Sequence, residues 1–159
     1  FTTHFAILAT DEAVYVDKQE GRRPYQMPSR IGMSIALHTT AIGKAVLAEL
    51  GDEEVLAICR RTGLTPRTPR TLTSEDALLA HLARVRVLGY AVDDEENEPG
   101  IRCVGAAVHD HTGRVLGGIS VSTLAMDMDM TGLEERAPDV IAAAREVSAA
   151  LGAAVPTVG

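Results

Sequence analysis

Apolar residues alternate with polar ones over residues 5–16 and again over residues 101–122, and between and after those regions they recur at helical spacing. Phe5 to Val16 (FAILATDEAVYV) holds two short β-like runs around Thr10-Asp11-Glu12, the pattern of a hairpin. Lys18 to Pro28 is polar and punctuated by Gly21, Pro24 and Pro28, which predicts a loop. Ile31 to Leu37 alternates weakly and predicts a further strand. Thr39 or Thr40 can cap a helix that begins at Ala41. Ala45, Val46, Leu47 and Leu50 supply its apolar face, and Gly51 ends it. Asp52-Glu53-Glu54 opens a second helix that runs to about Arg61, with acids at its positive end, bases at its negative end and Gly63 as the stop. Thr65 to Thr73 is a loop. Ser74 caps a third helix on which Leu78, Leu79, Leu82 and Val85 share a face, and Gly89 stops it.

Beyond Gly89 the period returns to two. Tyr90 to Val92 begins a strand, broken by the acidic stretch Asp93 to Gly100. Ile101 to Val108 and Val115 to Ser122 are strands around the turn His109 to Gly113. Thr131 to Leu151 is Ala-rich and helical, with Ile141, Ala144, Val147 and Leu151 on one stripe and a capping box at Thr131 and Glu134. Pro138 removes a backbone donor, so this helix either kinks there or begins near Ala137. Strands, helices, strands, helix is the order of an α+β domain with helices packed on a largely antiparallel sheet.

Composition narrows the class. The chain has 159 residues, enough for one domain with a real core. Apolar residues make up 46% and the mean hydropathy is +0.08, which excludes disorder. No apolar run has bilayer length, and no charged-then-apolar leader suggests export. The two cysteines, Cys59 and Cys103, do not form a secreted-scaffold pattern, so the expected compartment is the reducing cytoplasm. A net charge of −7 argues against the chain itself gripping phosphate backbones. Three Tyr, two Phe and no Trp offer no platform for base stacking. The chain opens on Phe1 inside an alternating segment, so it reads as part of a longer protein.

The candidate chemistry concentrates between Gly89 and Ser122. Ser120 and Ser122 share one strand face and present two hydroxyls side by side. Cys103 lies on the preceding strand, which a hairpin brings across from them. Together they read as the wall of a small polar pocket. The start of the Ala41 helix is the best anion site, where a carboxylate can dock on the amides of Ala41, Ile42 and Gly43. The plain alternative is an ordinary capped helix with Lys44 on the surface. Asp94, Glu95, Glu96 and Glu98 read as a solvated acidic loop. His109, Asp110 and His111 lack a third well-spaced ligand and read as an exposed turn, so no metal is expected. A thiol enzyme built on Cys103 ranks low, because nothing places a base beside the sulfur.

Three stretches make the pattern specific: LHTTAIGKAVLAEL (Leu37 to Leu50), LGYAVDDEENEPGIRCVGAAVHDHTGRVLGGISVS (Leu88 to Ser122) and the closing Ala-rich helix. Over nearly its whole length the chain resembles the C-terminal effector-binding domain of the IclR family of bacterial transcriptional regulators. The resemblance implies a GAF-like fold, a curved antiparallel sheet with helices on its faces and a pocket on one side. It implies effector contacts at Ala41, Ile42, Asp93, Cys103, Ser120 and Ser122, with apolar lining from Met27, Ile35 and Ile101. The expected effector is a small organic acid, with no cofactor. An N-terminal winged helix-turn-helix outside this chain would carry operator DNA contact, and self-association into a dimer or tetramer would transmit the signal. The rival readings are a GAF-like thiol enzyme and a pure oligomerisation module whose pocket is filled by its own side chains.

Overall fold

The structure is a computed structural model, and it describes residues 1–154. Strands β1 (Thr2–Ala9), β2 (Glu12–Gln19) and β3 (Ser34–Ala36) precede helices α1 (Ala41–Ala48), α2 (Asp52–Thr62) and α3 (Glu75–Leu88). Strands β4 (Ala91–Asp94), β5 (Ile101–His109) and β6 (Val115–Leu124) follow, then α4 (Met130–Glu134) and α5 (Ala137–Ala150). All six strands join one curled antiparallel sheet in the order β3-β2-β1-β6-β5-β4. The α+β expectation therefore holds.

Register divides the sheet into two faces. His4 pairs with Ser120, Ser120 with Gly105, Ser122 with Cys103, and Cys103 with Asp93. Directly opposed residues share a face, so these polar groups line up across β1, β6, β5 and β4. Their neighbours Phe5, Val104, Ala106, Ile119 and Val121 point the other way and pack with Leu133, Ala137, Val140 and Ala144 of α4 and α5. A second core joins Ala6, Ala13, Ile35 and Leu37 to the buried sides of α1, α2 and α3. Helix α1 is consequently enclosed, and all eight of its residues are buried.

Local signals set most boundaries. Ser74 caps α3 by accepting from the Ala77 N–H at 3.1 Å, and Gly89 ends that helix in the left-handed region at φ +81°. Pro138 lies in the first turn of α5, where its missing N–H costs nothing. The Ala-rich segment is thus two helices, not one kinked helix. The expected capping box fails: Asp129, not Thr131, caps α4 by accepting from the Gly132 N–H at 2.8 Å. Leu151 lies beyond α5 and is exposed, so the buried stripe ends earlier than its spacing suggests. The strand expected over residues 31–37 contracts to Ser34–Ala36, because Gly32 adopts φ +87° and turns the chain before it. Strand β4 runs two residues further than its apolar pattern, which puts Asp93 on the sheet instead of in the acidic loop.

Candidate functional site

Two glycines let α1 approach the sheet. A Cβ at Gly105 would stand 3.1 Å from the Ile42 nitrogen, and one at Gly118 would stand 3.1 Å from Ile42 Cγ2. The first turn of α1 thereby lies directly over the β5–β6 pair, beside Ser120. Thr40 caps the helix: its Oγ1 accepts from the Gly43 N–H at 3.0 Å and donates to the Ala36 carbonyl at 3.0 Å. The Ala41 and Ile42 amides have no protein partner among the described residues. Sequence reasoning also offered the Gly43 amide to an anion, and the cap removes it. Nor does Gly43 serve ligand approach. A Cβ there would lie 2.4 Å from the Leu37 carbonyl oxygen, so the missing side chain serves packing.

In front of this helix end is a cavity of about 80 Å³. All the residues singled out from the sequence line it: Met27, Ile35, Ala41, Ile42, Asp93, Ile101, Cys103, Ser120 and Ser122. Ser120 and Ser122 are buried side by side, and the Cys103 sulfur lies 3.0 Å from Ser122 Oγ. Asp93 Oδ1 accepts from the Glu96 N–H at 2.8 Å and the Asn97 N–H at 3.2 Å. Burial raises the Asp93 carboxyl to about 7, against the pull of Lys44 and of those two bonds. The carboxyl can therefore donate or accept near neutral pH. Burial, reinforced by Asp93, pushes the Cys103 thiol well above its ordinary value. A protonated thiol lacks the thiolate that nucleophilic chemistry needs.

The cavity has walls that sequence reasoning missed. His4 and Tyr15 stack with ring centroids 4.7 Å apart, and His4 Nε2 meets Ser29 Oγ at 2.7 Å. Burial, then the charge of Lys18, lowers His4 to about 4, so its ring is neutral. Alternation along β1 could have flagged it, since His4 stands two residues before the core residue Ala6. Arg67, Asn97 and Glu98 also border the space. The acidic stretch is not simply solvated. Glu96 is buried, and its Oε2 meets Lys44 Nζ at 2.5 Å. Lys44 is fully buried and not on the surface, because the sheet and α3 enclose α1. A lysine inside AIGKAVLA was the available signal.

Other features separate from this site. A larger groove of about 620 Å³ lies between the end of α3, the β5–β6 turn and α5. Several of its polar groups already have partners: His109 Nε2 meets Glu49 Oε2 at 2.8 Å, and Arg86 donates to the Ala48 and Leu50 carbonyls. It gathers no buried polar cluster comparable to the smaller cavity. Asp110 Oδ1 accepts from the Thr112 amide and hydroxyl. Among the described residues, no group of three or more His, Cys, Asp or Glu side chains is arranged to hold a metal. No helix there is long and apolar enough to cross a membrane, and both cysteines are free.

The family profile described as "Bacterial transcriptional regulator IclR C-terminal" matches residues 1–149. The chain belongs to the IclR family. It is 42% identical over 151 residues to the HTH-type transcriptional regulator XynR of Escherichia coli K12, covering 95% of this chain and 60% of that relative. The same organism's KdgR is 38% identical over 151 residues, with 95% and 57% covered. The chain thus spans about 60% or less of the length of these curated relatives. Among solved structures, the IclR protein of Thermotoga maritima superposes with a TM-score of 0.89 at 39% identity, covering 95% of this chain and 61% of that one. The C-terminal domain of E. coli KdgR gives 0.81 at 37%, covering 95% and 87%. These IclR relatives are named transcriptional regulators or repressors, and the family is regulatory, not enzymatic.

Proposed function

We propose that this IclR C-terminal domain senses a small organic acid in the cavity before α1. The carboxylate docks on the free amides of Ala41 and Ile42, where the helix dipole adds partial positive charge. Ser120 and Ser122 donate to the same group. Asp93 and Cys103 complete the polar wall, while Met27, Ile35 and Ile101 exclude water from it. What carries this reading is convergence: two unpartnered amides and two buried hydroxyls border one cavity.

In the proposed mechanism, effector binding shifts how these domains pack in a dimer or tetramer. That packing sets the spacing of winged helix-turn-helix domains on operator DNA in the cytoplasm. The ligand does so only through different affinity for the two arrangements.

A double variant, Ser120→Ala with Ser122→Ala, is the direct test. Hydrogen bonds to charged groups contribute about 1.5–3 kcal/mol each, so losing two should lower affinity for the effector at least about a hundredfold. The thermal midpoint of the ligand-free domain should barely move. Unchanged calorimetric affinity removes the serines from the site.

A further inference from the structure

We propose that Lys44, acting through Glu96, is a positioning residue for the cavity. It holds residues 93–98 so that Asp93 and Asn97 border the same space as the start of α1. The inference deepens the effector-site reading above, and its principal test needs no ligand.

Lys44 sits one turn into α1, behind the amides of Ala41 and Ile42. Its Nζ meets Glu96 Oε2, a partner 52 residues away. Around Glu96 the chain makes an uncommon bend, with Glu95 at φ +57°. The bend turns the Glu96 and Asn97 amides back onto Asp93 Oδ1. The preceding loop also holds the segment: Arg67 Nε donates to the Asn97 carbonyl at 3.2 Å, and the Arg70 guanidinium pairs with Asp94 and Glu95. Thr68 Oγ1 donates to the Glu95 carbonyl, and Thr71 Oγ1 to the Glu96 carbonyl, each at 2.7 Å. Thr39 Oγ1 donates to Asn97 Oδ1 at 2.8 Å. Only the Lys44–Glu96 pair ties the segment to the body of α1 by charge.

A buried ion pair is a poor way to fill space, since apolar residues of similar volume often do as well or better. What the pair can supply is direction. Lys44 holds Glu96 Oε2 while Oε1 accepts from the Asp94 N–H at 3.3 Å, and a carboxylate held at both oxygens draws the bend over the cavity. The Asp93 carboxyl feels Lys44 and Glu96 with opposite sign, so the segment's geometry, and not net charge alone, determines how Asp93 presents to a ligand.

Hydrogen exchange in the intact protein tests this. Lys44→Met should speed exchange of the amides at positions 96 and 97 by about tenfold or more, while the β5–β6 ladder stays protected. The paired variant Lys44→Met with Glu96→Gln removes the stranded charge, so it folds even where the single variant does not. Its thermal midpoint should recover toward the parent while positions 96 and 97 remain fast. That split between global stability and local order is the signature of positioning. Restored protection at 96 and 97 in the paired variant overturns the proposal. So does a uniform loss of protection across the domain, which reduces the pair to core filling. Failure of acetate, pyruvate, succinate and benzoate to stabilise the parent would count against the effector reading, and the exchange result would still decide this one.

Discussion

Asp93 brings the chemistry of the cavity to a single atom pair. Its buried carboxyl is raised from 3.8 to about 7, so the folded protein holds that proton more tightly than the unfolded chain. The cost of its charge is therefore present above about pH 7 and is relieved as pH falls toward 3.8. Asp93→Asn should gain stability relative to the parent as pH rises between those values and level off above them. Denaturation midpoints whose difference is independent of pH would contradict this. The buried histidines run the other way. His4 and His81 are both lowered from 6.5 to about 4, so the unfolded chain takes up protons first and stability falls as pH drops through that window. His81 Nε2 is buried without a partner among the described residues. His81→Leu should accordingly raise the thermal midpoint more at pH 5 than at pH 8, because the substitution removes a site that the unfolded chain protonates. Cys103 should react slowly with a disulfide reagent in the folded protein and quickly after unfolding, since burial keeps the thiol protonated. Rapid native labelling would reopen nucleophilic chemistry at that sulfur.

At the scale of the element, α1 governs the site. Its position depends on glycines that differ in what a side chain would meet. A Cβ at Gly43 collides with the Leu37 backbone at 2.4 Å, and backbone cannot move aside as a flexible side chain can. Gly43→Ala should cost more than about 2 kcal/mol by chemical denaturation, the range of severe overpacking. Gly51, the N-cap of α2, has open space around it and φ −68°. Gly51→Ala should cost about 1 kcal/mol or less, the lost preference for Gly over Ala at an N-cap. Equal effects would show that contact, as argued for Gly43, does not set the helix position. The hairpin strands contribute the rest. Pairing of Ser122 with Cys103 and of Ser120 with Gly105 leaves room for α1 directly above two hydroxyls.

At the scale of the whole molecule, the sheet separates two cores, one shared with α1, α2 and α3 and the other with α4 and α5. A ligand at the start of α1 touches the first core and the sheet together, so its binding energy adds to global stability. An acid present at 100 times its dissociation constant should stabilise the domain by about 2.7 kcal/mol. A broad panel of metabolite acids that leaves the thermal midpoint unmoved would favour the oligomerisation module over a sensor.

Sequence alone was enough for the hairpins, a cap at Thr39 or Thr40, the Ser74 and Gly89 helix signals, the paired serines and the cysteine across from them. Those features rest on periods of two and 3.6 residues and on caps, which act over a few neighbours along the chain. Folding decided the rest: the burial of Lys44 against Glu96, the neutral His4 beside Tyr15, the loss of the Gly43 amide to Thr40, and the extension of β4 through Asp93. A charge is exposed or buried, and an amide free or bonded, according to what distant segments bring within reach. Lys44 and Glu96 become partners only when α1 settles on the sheet and the chain bends at Glu95.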